Sequence, residues 1–260
     1  MNDIQFHRGA ISPGDCISEA WGLVTGRFGL YLGAGVIVLI LISCIPFVNF
    51  FLLGPLLGGF YHLVLRDSRG EPVDFGALFK GFEKFVPLMV VGLIQSVPGI
   101  VTTVIQYTVD IARLTGIGPG IGDATFYQGG SDALWAGFSI GLIIVFAVLF
   151  IVAIVWNLGL GFAVPLVMER DLSVGDALVT SLKAAAANPG GLIVLAILQG
   201  LVMLVGFLAL CLGIFVAAPV AYAAFAIAFG QVFPYSGGGP SYYNTPPPPE
   251  AYGGTFGQGQ

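Results

Sequence analysis

Gly137-Phe-Ser139-Ile-Gly141 fits the G-x-S-x-G pattern of a serine-hydrolase elbow, where a sharp strand-to-helix turn aims the hydroxyl at a histidine and an acid. Both histidines of the chain, His7 and His62, fall at the opposite end of the apolar segments from Ser139. The same residues form G-x-x-x-G, a spacing that lets membrane helices approach closely, and Gly29/Gly33 and Gly54/Gly58 repeat it. Helix packing is the better reading, and no catalytic residue is assigned. The Gly-rich stretch Gly116–Gly122 follows no strand and lacks the Lys-Ser/Thr ending of a phosphate cradle. Two histidines without a Cys/Asp cluster give no metal site, and no cofactor is expected.

Two further sets of residues have binding rather than catalytic chemistry. His62 and Arg66 lie one helical turn apart beside Asp67. With Arg69, Lys80 and Lys84 they form a candidate set of lipid-headgroup contacts, and ordinary snorkelling of flanking charges is the rival account. Ser43, Gln95 and Gln199 sit inside apolar runs, where an unpaired polar group is costly. They are expected to face a common axis, making either interhelical hydrogen bonds or a polar constriction. Gln106, Asn49 and Asn157 are other polar residues at membrane depth. Cys16, Cys44 and Cys211 form no CxxC and read as small apolar packing residues.

The elements that must position these residues are membrane helices. The composition is 57% hydrophobic and 9% charged, with mean hydropathy +0.94, against about 25% charged in a soluble domain. Such a chain cannot coat a globule with polar surface. Its net charge of -5 is too diffuse to point to nucleic acid, and residues 1–27 do not read as a cleavable leader. The runs Phe28–Leu65, Phe85–Val109, Ala133–Met168 and Gly190–Phe229 contain no charge, and each exceeds the roughly 18–20 residues that cross a bilayer. As one helix, Phe28–Leu65 would be roughly 57 Å long, so it must turn back, at Ile45-Pro46-Phe47-Val48-Asn49. Gly206–Gly213 is the matching turn in the last run. Phe85–Val109 is one crossing with Pro98 as a kink or an early end. Ala133–Met168 is taken as one long helix bending near Asn157–Gly161 and loosening at Pro165, with a split pair as the rival.

Six transmembrane helices result, at about 28–45, 47–65, 85–109, 133–168, 190–207 and 210–231, with an outer loop at 110–132. Of nine basic residues, Arg8, Arg27, Arg66, Arg69, Lys80, Lys84, Arg170 and Lys183 fall on one side and only Arg113 on the other. The positive-inside rule then places both termini in the cytoplasm. Splitting 133–168 would move Arg170 and Lys183 outward.

An internal repeat is visible without gaps: Ser12–Trp21, Val73–Phe82 and Ser173–Leu182. The fifth position is small (Cys16, Ala77, Ala177) and so is the ninth (Ala20, Gly81, Ser181). The sixth and tenth are apolar and mostly bulky (Ile17/Trp21, Leu78/Phe82, Leu178/Leu182), forming a narrow apolar stripe. Two copies begin Ser-x-Gly-Asp, a capping-box arrangement, and Asp74 can cap the third. They predict three interfacial helices, at the N-terminal segment and near 74–84 and 173–186. Ser43-Cys-Ile-Pro46 further matches Gln95-Ser-Val-Pro98 and Leu198-Gln199. Gly54-Pro55 matches Leu158-Gly159 and Ala218-Pro219. Each copy is an interfacial helix plus a transmembrane hairpin, all in one orientation, as in parallel repeats about an axis along the membrane normal.

On Gly54-Pro55-Leu-Leu-Gly-Gly59, Arg69-Gly70-Glu71, Phe79-Lys-Gly-Phe82, Pro165–Asp171, Asp176-Ala-Leu with Ser181, and Gln231-Val-Phe-Pro234, the chain resembles bacterial multi-pass membrane proteins of unknown function. These are similar to the membrane domain attached to some glycerophosphoryl diester phosphodiesterases. The resemblance implies a fold and a bacterial cytoplasmic membrane location. It does not carry the phosphodiesterase activity, whose catalytic domain is not in this sequence. Residues 233–260 change to Gly, Pro, Tyr and Gln, the composition of a disordered tail, and Pro246–Pro249 offers a polyproline segment to a protein partner. The expected function is non-enzymatic, organising or sensing membrane lipids or scaffolding partners, with self-association through Gly-rich helix faces. The alternative is a small transporter or channel along the pseudo-axis. An intramembrane hydrolase lacks converging groups.

Overall fold

The structure, a computed structural model, describes residues 6–43, 48–115, 132–209 and 213–234. For 39–43, 48–49, 109, 112–115 and 132–143 it describes the backbone alone. The turns at 44–47 and 210–212, the Gly-rich loop at 116–131 and the tail at 235–260 therefore lie outside the described residues. So do the side chains of Ser43, Asn49 and Ser139.

Among the described residues every regular element is helical. α1 is Pro13–Gly26, α2 Phe28–Ser43 and α3 Val48–Ser68. α4, Gly76–Phe79, continues as a 3₁₀ turn, Lys80–Lys84, into α5, Phe85–Thr115. α6 is Asp132–Leu160 and α7 Ala163–Arg170; α8 is Val174–Ala187, α9 Pro189–Leu208 and α10 Ile214–Val232. A short helix followed by two long ones thus occurs three times along the chain.

Proline explains most of the breaks. Pro87 in the first turn of α5 cannot donate to the Glu83 carbonyl, so the expected helix over 74–84 is one α-turn followed by a 3₁₀ turn. Pro165 removes the donor for the Gly161 carbonyl, and the chain breaks between α6 and α7 at 161–162. Pro98 neither ends nor shortens α5, which runs on to Thr115, so 110–115 is helix rather than loop. Membrane helices tolerate such prolines where neighbours meet the freed carbonyls.

Four helical stretches are long and apolar enough to cross a membrane: Gly76–Thr108, Ile144–Arg170, Pro189–Leu208 and Ile214–Val232. α1 with the first part of α2, bent by 101°, would make a fifth. This is the helix content of a membrane-embedded protein. α3 is outside the four; its last turns carry His62, Arg66 and Asp67.

The short helices pack by their small residues. Cys16, Ala20, Ala77, Gly81, Ala177 and Ser181 are all buried, whereas Trp21 and Leu182 are 55% and 51% exposed. Of the bulky stripe only Trp21 and Leu182 face outward; Leu78 is fully buried, and Ile17, Phe82 and Leu178 pack against the core, while the small residues admit the close backbone approach on the core side. A Cβ on Gly81 would overlap the Pro55 carbonyl oxygen, and one on Gly59 the Leu78 carbonyl oxygen. In the next trio the Ser181 hydroxyl donates to Gly159 O at 2.8 Å. α4 with its 3₁₀ turn thus lies on α3, α8 on α6 and α7, and α1 on α10, so the first trio closes onto the third. α10 is central, buried from Ala217 through Phe229 except at Tyr222.

The capping residues divide their work differently from a full capping box. Ser173 Oγ accepts from Asp176 N at 3.2 Å and donates to its carboxylate. Ser12 Oγ makes only the bond to Asp15, 2.5 Å, while Ser12 N donates to Gln231 Oε1 at 2.9 Å. Asp74 Oδ1 accepts from Ala77 N.

Candidate functional site

The cations expected to meet lipid headgroups are each paired within the chain. At the end of α3, His62 Nδ1 lies 2.5 Å from Glu169 Oε1, and Arg69 is 3.5 Å from the other oxygen of the same carboxylate. Arg66 and Arg69 both hold Glu71, each at 2.7 Å. Lys80 pairs with Glu83 at 2.8 Å. Lys84 pairs with Asp171 and donates to the carbonyls of Val167 and Met168. The set shares one end of the bundle, but Glu169, 107 residues from His62, joins α3 to α7 there. It was not among the residues singled out from sequence.

The two arginines, Arg69 first, hold the Glu71 carboxyl below its ordinary range. A depressed carboxyl stabilises the fold above its unfolded value, about 4.5, and that contribution is lost as pH falls through the folded value. Glu71→Gln is therefore expected to remove that contribution at pH 7 and to change little once pH is below the folded value, so that melting temperatures at stepped pH fall less steeply below pH 5 than in the unsubstituted protein. At the start of α1, burial, then Glu19 and Asp15, push the Cys16 thiol up to about 12, which fits a packing residue.

Asp67 is the centre of a buried cluster. Its Oδ2 accepts from Tyr31 OH at 2.8 Å and its Oδ1 lies 3.2 Å from Arg27 Nε. Arg27 is the residue between α1 and α2, so this carboxylate ties the bend to α3. Asn188, also unremarked in the sequence, gathers the N-terminal segment: Oδ1 accepts from Ala10 N, and Nδ2 donates to the carbonyls of His7 and Ala184. Arg170 donates to the carbonyls of Phe233 and Pro234. The Asn188-Pro189 pair at the start of an apolar run is the sequence signal that points to Asn188.

Inside the bundle lies a cavity of about 680 Å³, within the range of small-molecule sites. Gln95 and Gln199 both line it, from α5 and α9. Gln95 Nε2 donates to Leu160 O at 2.6 Å, and Gln199 Nε2 to Ala221 O at 2.7 Å. Each glutamine thus ties its helix to a backbone carbonyl at or near the following helix of the chain, α5 to the end of α6 and α9 to α10. Asn157, on α6, lines the same space and donates to Ala153 O. Most of the remaining wall is Leu, Phe, Ala and Gly.

Towards the charged end the cavity meets an aromatic stack. Phe225 lines it and lies 5.2 Å from the ring of Phe162, which contacts Phe229 and Phe233 in turn. Phe162, Phe229 and Phe233 are almost fully buried. The lateral wall differs from one seam to the next. Between α3 and α5, a Cβ on Gly54 would overlap the Leu88 carbonyl, and Gly92 packs on the Gly54 backbone. Between α2 and α10, Gly35 packs on Pro219. The third seam, α6 against α9, has no comparable contact among the described residues.

No family model, curated protein or solved structure matches the chain.

Proposed function

We propose that the chain is a non-enzymatic, six-crossing membrane protein that organises or senses lipid by housing one lipid molecule in its central cavity. The observation that carries this reading is the cavity: about 680 Å³, largely apolar, with amides of α5 and α9 at its wall. An apolar space with a few convergent polar groups suits an amphipathic ligand. Exposed Trp21, Phe28, Phe75 and Phe79 near the charged end make the aromatic belt of an interfacial layer. The repeated short-long-long order and the matching Gln95 and Gln199 bonds support three parallel copies of one unit.

The second reading is a transporter or channel along the pseudo-axis, favoured by Gln95 and Gln199 sharing the cavity. The buried stack from Phe225 to Phe233 adjoins the cavity, which favours binding over conduction.

Mass spectrometry of lipids carried through purification tests the reading. About one lipid per chain is expected, and Met203→Trp, which fills the cavity from α9, is expected to remove it. A wild-type protein free of lipid would sink the proposal. The crossing number has its own test: both termini and Lys183 are placed on the cytoplasmic side, so an impermeant amine reagent outside sealed cells is expected to leave Lys183 unlabelled.

A further inference from the structure

The ligand class and its route of entry can be taken further; this step rests on the lipid-binding reading. Among the described residues the cavity wall carries no Asp, Glu, Lys, Arg or His. An unpaired charge in such a place costs several kcal/mol, so the part of the ligand held there is uncharged. What the wall offers instead is hydrogen bonding. Gln95, Gln199 and Asn157 each spend their NH₂ group on a backbone carbonyl. Their three amide oxygens have no protein partner among the described residues, and they remain as acceptors.

Tyr61 is a second, independent pointer. It lines the cavity, is 6% exposed, and its ring lies tilted 6.0 Å from that of Phe225. Its hydroxyl makes no hydrogen bond to any described residue, although a buried tyrosine ordinarily finds a partner. Among the described residues no buried side-chain oxygen is sealed away without a partner; the hydroxyl is therefore accessible, and its residue lines the cavity. It can donate to an ester or amide carbonyl while the amide oxygens accept from a hydroxyl or N–H.

The route follows from the unequal seams. Gly54 allows α3 to press against α5, but the repeat places Leu158 at the equivalent position on α6. α6 and α9 make no close packing contact among the described residues, and the residues from Ile144 to Trp156 are exposed nearly all round, Phe150 at 67%. Leu158 and Asn157 on one side and Gln199 and Met203 on the other line the cavity at this gap.

We propose that the site takes a neutral lipid bearing a hydroxyl or amide donor next to a carbonyl, of the diacylglycerol class, and that it enters from the bilayer between α6 and α9. The full chain, in nanodiscs of phosphatidylcholine containing equal amounts of dioleoylglycerol and dioleoylphosphatidylglycerol, is the test material, read by native mass spectrometry. Dioleoylglycerol is expected to be retained at least tenfold over the anionic lipid. Tyr61→Phe, which removes no protein hydrogen bond, is expected to lower retention about tenfold with an unchanged melting temperature. A diazirine-bearing diacylglycerol is expected to label peptides holding Leu158 or Met203. Preferential retention of phosphatidylglycerol, removed by Met203→Trp but indifferent to Tyr61→Phe, would overturn the neutral-lipid assignment while leaving the cavity reading intact. Labelling confined to α3 and α5 would overturn the route. Retention of no lipid at all would overturn both this inference and the reading beneath it.

Discussion

Gly81→Val is expected to destabilise the protein by about 3 kcal/mol or more, the upper part of the range for overpacking. Detergent-solubilised protein should melt roughly 6–12 °C lower by the scaling for domains of similar size. The reason is that the atoms opposing Gly81 belong to the backbone. A Cβ there would overlap the Pro55 carbonyl oxygen and crowd Gly59 N. Flexible side chains can yield by rotation, but a carbonyl in mid-helix cannot move without carrying α3 with it. The contact also sets where α4 sits, so the loss should appear in extraction yield as well as in melting. Gly22→Ala on α1 is the matched control. Nothing lies within 4 Å of a Cβ there, and replacing a helical glycine by alanine is worth roughly 0.5–1 kcal/mol in the stabilising direction. Equal effects from the two substitutions would mean that the α3–α4 contact is not close.

Asp67→Ala is expected to cost about 2–4 kcal/mol, from a buried Tyr31 hydroxyl left without its acceptor and an Arg27 without its counter-charge. The Asp67 side chain is only 4% exposed, whereas Arg27 is 43% exposed and can turn to water. Most of the loss should therefore come through Tyr31. Tyr31→Phe alone is expected to cost about 1–1.5 kcal/mol, and the double variant Asp67→Ala/Tyr31→Phe less than the sum, because the two share one interaction. Thermal melting of the four proteins reads this directly. Additive losses would show that Tyr31 and Asp67 act independently, against the 2.8 Å bond between them.

Both residues show how the sequence could be read and where that reading stopped. Gly81 was recognised as the small ninth position of a repeat, and so was its companion Ser181. The bulky neighbours Trp21, Phe82 and Leu182 read as part of a narrow apolar stripe on interfacial helices, and of these Trp21 and Leu182 are exposed. The small side does the packing, since a helix pressed on a carbonyl needs the absence of a side chain, and hydropathy is blind to absence. Arg66, Arg69 and Lys84 were legible as cations near a membrane surface. Their partners Glu169 and Asp171 were not, because nothing local in α3 or α5 indicates which distant acid the fold will bring alongside.

By itself the sequence determined that the chain is built of long apolar helices and that Gln95 and Gln199 lie inside two of them. Hydropathy, proline and spacing along one segment are local properties, and they suffice for that. Only the tertiary structure decided that the two glutamines border one cavity with Tyr61, that α6 stands off α9, and that the cations are spent on acids of the same chain. Those facts depend on which segments become neighbours, and backbone-to-backbone fit at a few glycines takes part in that choice: α3 and α5 close where Gly54 meets Leu88 and Gly92, while α6 and α9 share no such approach among the described residues.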